Sequence, residues 1–180
     1  MTKKEMSEIF GILLLAYPNA EVFKGGLQKL DPTISLWCAC LPDVEFWIGK
    51  QAAIKLCREC KFPPTIAEFL DKANTVKAEV QARIDGEWEL LRSGMKIAGL
   101  SAEEALARAG NLTKAAVAVM GGADHLMVTA VHEYGDGRKV PYERFNYEGF
   151  RAACEQILQL QSDSRQAVGA GSMKQIGGKK

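Results

Sequence analysis

From its first residues the chain places apolar side chains at helical spacing. Met6, Ile9, Phe10, Leu13, Leu14 and Tyr17 recur at i, i+3, i+4, i+7, i+8 and i+11, the stripe of an amphipathic helix. Thr2-Lys3-Lys4-Glu5 sets a capping box ahead of it, and Pro18 ends it. Asn19 to Lys24 leaves room for one more turn before Gly25-Gly26. Asp31-Pro32 reads as an N-cap followed by proline at the first helical position. Ile34, Trp37, Cys38 and Leu41 then form one face of a short second helix. Pro42-Asp43 repeats that start signal ahead of a third helix, which carries Val44, Trp47, Ile48, Ala52 and Leu56 and runs to about Cys60. Three short helices joined by tight turns predict a small N-terminal bundle over residues 1–64, with Trp37, Trp47 and the first stripe in its core.

Lys61-Phe62-Pro63-Pro64-Thr65-Ile66-Ala67-Glu68-Phe69 closes that bundle and starts a long helix. The double proline stops what precedes it. Thr65 and Glu68 form a second capping box, and Phe62 is placed to pack against the first turn. The apolar stripe continues through Phe69, Leu70, Ala73, Val76, Val80, Ile84, Trp88 and Leu91. A helix of roughly 25 residues is about 37 Å long, longer than a small bundle covers. The chain therefore reads as having a connecting helix over 65–99, ended by Gly94 to Gly99, whose far half needs another partner.

Ser101-Ala102-Glu103-Glu104 caps a short helix closed by Gly110-Asn111, and Thr113 starts another over Lys114 to Met120. Ala123 to Tyr134 is ambiguous. Val128, Thr129 and Val131 suit a strand, whereas Leu126, Ala130 and Tyr134 suit a helix. Gly135-Asp136-Gly137 is a turn, and Asn146 caps a last helix with Tyr147, Phe150, Cys154, Ile157 and Leu158 on one side. Residues 100–161 thus read as a mostly helical, partner-binding region. Residues 162–180, rich in Gly, Ser, Gln and Lys, read as a disordered tail. The fold class is all-α in the main.

Composition narrows the function classes. Hydrophobic residues make up 47% of 180, so the chain is not disordered as a whole. With 23 basic and 22 acidic residues the net charge is +1. That balance excludes an acidic nucleic-acid mimic and offers no global case for a basic nucleic-acid binder. Ile9 to Ala16 is too short for the ~20 residues of a membrane span. It also lacks a cleavage site after it, so the protein is expected in the cytoplasm of a bacterial host cell, away from membranes.

Five cysteines, Cys38, Cys40, Cys57, Cys60 and Cys154, read as reduced thiols in that compartment. Cys57 and Cys60 have the spacing of half a zinc site. Both pairs fall in predicted helices, however, where i and i+2 diverge, and small core residues are the plainer reading. His125 and His132 share a face on a helix and oppose each other on a strand. Polar surface histidines describe them better than a site. No phosphate loop, serine elbow or His-Glu-x-x-His motif is present, so neither a cofactor nor an enzyme activity is expected. Lys50, Lys55, Arg58 and Lys61 gather along the third helix. Arg138, Lys139, Arg144 and Arg151 gather late, among Tyr142, Phe145, Tyr147 and Phe150. Such interleaving suits single-stranded nucleic acid or phosphate. It also suits a solvated rim over core aromatics.

With Thr2 to Glu5, Ala16-Tyr17-Pro18-Asn19, Trp37 and Phe62-Pro63-Pro64-Thr65-Ile66-Ala67-Glu68 in that order, residues 1–74 resemble the replicative-helicase loader/inhibitor proteins of Gram-positive phages and prophages. A fainter likeness lies in Ala118-Val119-Met120-Gly121-Gly122 and in Phe150 to Glu155. The resemblance implies an all-helical N-terminal domain and a C-terminal part that folds on its partner. It also implies binding to a hexameric replicative helicase without an ATPase of the protein's own.

Three functions follow as expectations. The first is a phage helicase loader or inhibitor. The second is an anti-CRISPR protein that binds Cas9. The third is a zinc-dependent DNA-binding module. The expected partner surface is Ile84, Trp88 and Leu91 on the long helix, with Tyr147, Phe150 and Arg151. The alternative for that stripe is a last helix that packs back onto it. Arg138, Lys139 and Arg144 are the candidate nucleic-acid contacts.

Overall fold

A computed structural model describes residues 1–174, with side chains to residue 164 apart from Leu27 and Gln28. Helices dominate, with one two-stranded sheet among the described residues. The chain forms two compact units, Met1–Glu79 and Val80–Lys180.

The first unit is built from α1 (Lys3–Ala16), α2 (Asp31–Cys40), α3 (Phe46–Glu59) and the first half of α4 (Ile66–Lys96). Thr2 caps α1 in a full capping box with Glu5. Thr65 and Glu68 do the same for α4, where the Thr65 N–H donates to Glu68 at 2.7 Å and the Glu68 N–H donates to Thr65 at 3.3 Å. The stripe of α1 is buried at Met6, Ile9, Phe10 and Leu13. An aromatic chain runs through the core: Phe10 lies 6.4 Å from Phe23 and 5.0 Å from Trp37, and Trp37 lies 5.3 Å from Phe69. Gly49 on α3 permits a close approach to α1, since a Cβ there would stand 3.1 Å from the Ile9 side chain.

Three local expectations shift. Leu30, not Asp31, caps α2, because Asp31 already has helical backbone angles and Pro32 follows inside the first turn. The third helix starts at Phe46, after Glu45 accepts from the Trp47 indole N–H at 2.8 Å. Phe62 does not pack on the first turn of α4. It is 72% exposed, and the buried Pro64, adjacent to the cap, covers that turn instead.

The second unit takes the rest of α4, then α5 (Ala102–Arg108), α6 (Asn111–Met120), strands β1 (Met127–Glu133) and β2 (Lys139–Phe145), and α7 (Tyr147–Lys174). Ser101 and Glu104 form a third capping box. Thr113 does not start a helix. It lies inside α6, fully buried, and its hydroxyl donates to the Glu87 carboxylate. Gly121, at φ 103, ends α6 in the left-handed region, and the Gly122 N–H closes the turn on Val117 at 2.9 Å.

The ambiguous segment is a strand. β1 and β2 pair antiparallel with Val128 opposite Arg144 and Glu133 opposite Lys139. β-branched residues and the turn at Gly137, φ 80, outweigh the helical reading. Asn146 caps α7 as expected: its side chain accepts from the Gly149 N–H at 3.1 Å and donates to the His125 carbonyl at 3.0 Å.

The units divide between Glu79 and Val80, inside α4, rather than at 64/65 and 99/100. Phe69, Ala73 and Val76 belong to the first core and Ile84, Trp88 and Leu91 to the second. α7 runs to Lys174, through most of the stretch expected as a disordered tail over 162–180, and Ser162 is buried. Small polar residues extend an established helix although they cannot found a core. Residues 175–180 of that expected tail lie outside the described residues.

Candidate interaction surfaces

The first surface lies where the N-terminal bundle closes. Tyr17 follows α1, and its N–H donates to the Leu13 carbonyl at 2.9 Å. Its hydroxyl donates to the Leu56 and Cys60 carbonyls, at 3.2 and 3.0 Å, and so ties the end of α1 to the end of α3. Burial, then the neighbouring Cys57 and Cys60, push the Tyr17 phenol up, which keeps its proton on the oxygen that donates. Beyond Cys60 the chain turns into Lys61-Phe62-Pro63. Ala16 to Val22 and Lys61 to Pro63 line an open groove of about 690 Å³. Phe62 stands free at its edge, with the Lys61 ammonium 5.8 Å from the ring centre, and Val22 is exposed at 47%. In the sequence Tyr17-Pro18-Asn19 and Phe62-Pro63 read as helix punctuation. Their convergence depends on α1 and α3 ending side by side.

The cysteines do not assemble a site. Cys60 caps α3 with extended backbone, and Cys57 is half-buried with its thiol pushed up by burial and by Cys60. Among the described residues no group of three or more His, Cys, Asp or Glu side chains could hold a metal ion. The early basic cluster is partly engaged within its own unit: Lys55 pairs with Glu79, and Lys50 sits 5.2 Å over the Phe46 ring.

Most of the expected partner residues are core. Ile84, Trp88, Leu91 and Phe150 are buried in the second unit, and Trp88 meets Phe145, Tyr147 and Phe150 at 5.8, 5.6 and 5.0 Å. The far stripe of α4 finds its partner in α7 and its neighbours, so these side chains offer no exposed face. Tyr147 is half-buried; its hydroxyl donates to Asp85 and accepts from Gln81 at 2.7 Å. Burial, then the Asp85 carboxylate, push its phenol up. Arg151 lies 3.8 Å from Glu155. Cys154, at the centre of this core, is pushed up to about 12, chiefly by burial, and is an inert thiol.

The second surface is the β1–β2 ribbon, whose outer residues are exposed on both faces. Its register separates the three cations that the sequence groups together. Lys139 shares a face with Glu133, 3.4 Å away, and with Glu143. Arg144 lies on the opposite face with Val128, Ala130, His132, Val140 and Tyr142. At the tip of that face Tyr134 packs edge-on against His132 at 4.6 Å, and the Arg138 guanidinium lies 5.2 Å from the Tyr134 ring centre. His125 sits apart, in the turn before β1, beneath Gly121. Alternation over 127–145 carries the signal for this sorting, once the segment is read as strand.

No helix among the described residues is long and apolar enough to cross a membrane. Residues 1–70 match the family described as the N-terminal domain of the phage gene 39 protein, a protein of the helicase-loader/inhibitor type. The matched stretch contains the whole of the groove and ends within the first unit. No curated protein and no solved structure matches the chain.

Proposed function

We propose that this chain is a non-enzymatic phage adaptor that binds a replicative helicase hexamer and restrains it until loading. The observation that carries this reading is the match of residues 1–70 to the N-terminal domain of a helicase-loader/inhibitor-type protein. The agreement of that match with a compact unit over Met1–Glu79 supports it. So does the groove, because Tyr17-Pro18-Asn19 and Phe62-Pro63, which carry the resemblance, also line it. An exposed phenylalanine beside an open apolar groove suits a protein partner, since an aromatic anchor contributes much of an interface's energy.

Co-purification of the full chain with the host's replicative helicase, together with the helicase ATPase rate, tests the proposal. The expected result is a stable complex with reduced ATPase. Absence of a complex overturns it, and capture of guide-loaded Cas9 instead would replace it with the anti-CRISPR function. Phe62→Ala should weaken the helicase complex by about 30-fold or more, the scale of an interface hot spot, while leaving the melting temperature unchanged. Equal affinity for the variant would move the contact away from the groove.

A further inference from the structure

We propose that the β1–β2 ribbon binds single-stranded nucleic acid on the face that carries Arg144, Tyr142, His132, Tyr134 and Arg138. This goes beyond the helicase reading and does not depend on it.

Charge sorting is the first support. The strand carboxylates Glu133 and Glu143 lie on the other face, where Glu133 also neutralises Lys139. Arg144 is exposed on a strand face free of carboxylates. Arg138 is paired with Asp136 at 3.0 Å, but both side chains are largely exposed. Such a pair is worth little, so the guanidinium is available to a phosphate.

Ring exposure is the second support. Tyr142 and Tyr134 keep 47% and 44% of their surface in water, although each could bury its ring in a core. Flat rings beside guanidinium groups offer bases a stacking platform and phosphates a counter-charge. Paired bases inside a duplex cannot reach such rings, which selects the single strand.

Edge chemistry is the third. The Asn146 N–H bonds the Leu126 carbonyl and the Tyr134 N–H bonds the Arg138 carbonyl. Every second pair between them is then hydrogen-bonded, which places Pro141, opposite Val131, at a non-bonded pair. Its missing N–H therefore falls on the outer edge of β2, blunting that edge against an added strand. The ribbon's face, not that edge, is what it presents to a protein or a nucleic acid.

Fluorescence anisotropy of the full chain with a labelled single-stranded oligonucleotide of mixed sequence, and with the matching duplex, tests the proposal. The single strand should bind more tightly than the duplex. Contact with two phosphates predicts a slope of about −1.4 in log affinity against log salt. Tyr142→Leu, which keeps an apolar side chain but removes the ring, should weaken binding about 5- to 150-fold, whereas Tyr142→Phe should keep it. Arg144→Ala should weaken binding and flatten the salt slope, and Lys139→Ala, on the opposite face, should do neither. Circular dichroism of each variant confirms an intact fold. The proposal is overturned if the wild-type chain fails to bind single strands at low salt, if duplex is preferred, if Tyr142→Leu has no effect, or if Lys139→Ala matches Arg144→Ala. Loss of helicase binding in Arg144→Ala, without single-strand binding by the wild type, would assign the ribbon to a protein partner.

Discussion

Trp88 decides the character of the second unit. Its indole is surrounded by Phe145, Tyr147 and Phe150, with Ile84 and Leu91 one turn away on either side. Removal of so large a buried ring loses its transfer energy and leaves a cavity. Trp88→Ala should therefore destabilise this unit by about 3–5 kcal/mol, measured by chemical denaturation. Trp37 and Trp47 lie in the first unit and remain as fluorescent reporters of it. Normal stability of the variant would contradict the core assignment. The same residue marks the limit of reading a stripe alone. Periodicity shows that Ile84, Trp88 and Leu91 share a face, but a covered face and a docking face have the same pattern. The difference lies in whether α7, far along the chain, returns to it.

Three helices share one starting device. Glu5, Glu68 and Glu104 each accept the N–H of their own cap residue, and that backbone hydrogen bond is the chief cause that holds each carboxyl below its ordinary value of 4.5. A carboxylate whose folded pKa is depressed adds stability that is complete above the ordinary value. That stability is lost as pH falls through the folded value. The helices should therefore lose stability as pH falls below about 4.5, seen as a falling melting temperature by circular dichroism. Glutamine at all three positions keeps an acceptor for the cap N–H and removes the titration. If the acid loss is as steep in that variant, other carboxylates cause it. These boxes are legible in the sequence because Thr or Ser three residues before Glu acts through contacts within one turn. The ribbon is less legible. Its residues suit two periods, and the choice rests on cross-strand partners.

For the molecule as a whole, the boundary at Glu79–Val80 predicts that the N-terminal part carries its own fold. A fragment of residues 1–79 should be helical and melt cooperatively, because the aromatic chain from Phe23 to Phe69 lies wholly inside it. A non-cooperative fragment would mean that the second unit is required. If the fragment folds, it also permits a division of labour to be measured: helicase binding through the groove belongs to it, and single-strand binding through the ribbon does not.

By itself the sequence determined the helix starts, the three capping boxes, the α1 stripe, the helical class and the resemblance of the first seventy-odd residues. Each of these rests on neighbours within a turn or two, or on a motif read in order. Tertiary structure alone decided that the far stripe of α4 is covered, that Phe62 faces water while Pro64 is buried, and that Tyr17-Pro18-Asn19 meets Phe62-Pro63 in one groove. It also decided that Arg144 and Lys139 part to opposite faces. Those outcomes depend on contacts between distant segments and on strand register, which local periodicity does not encode.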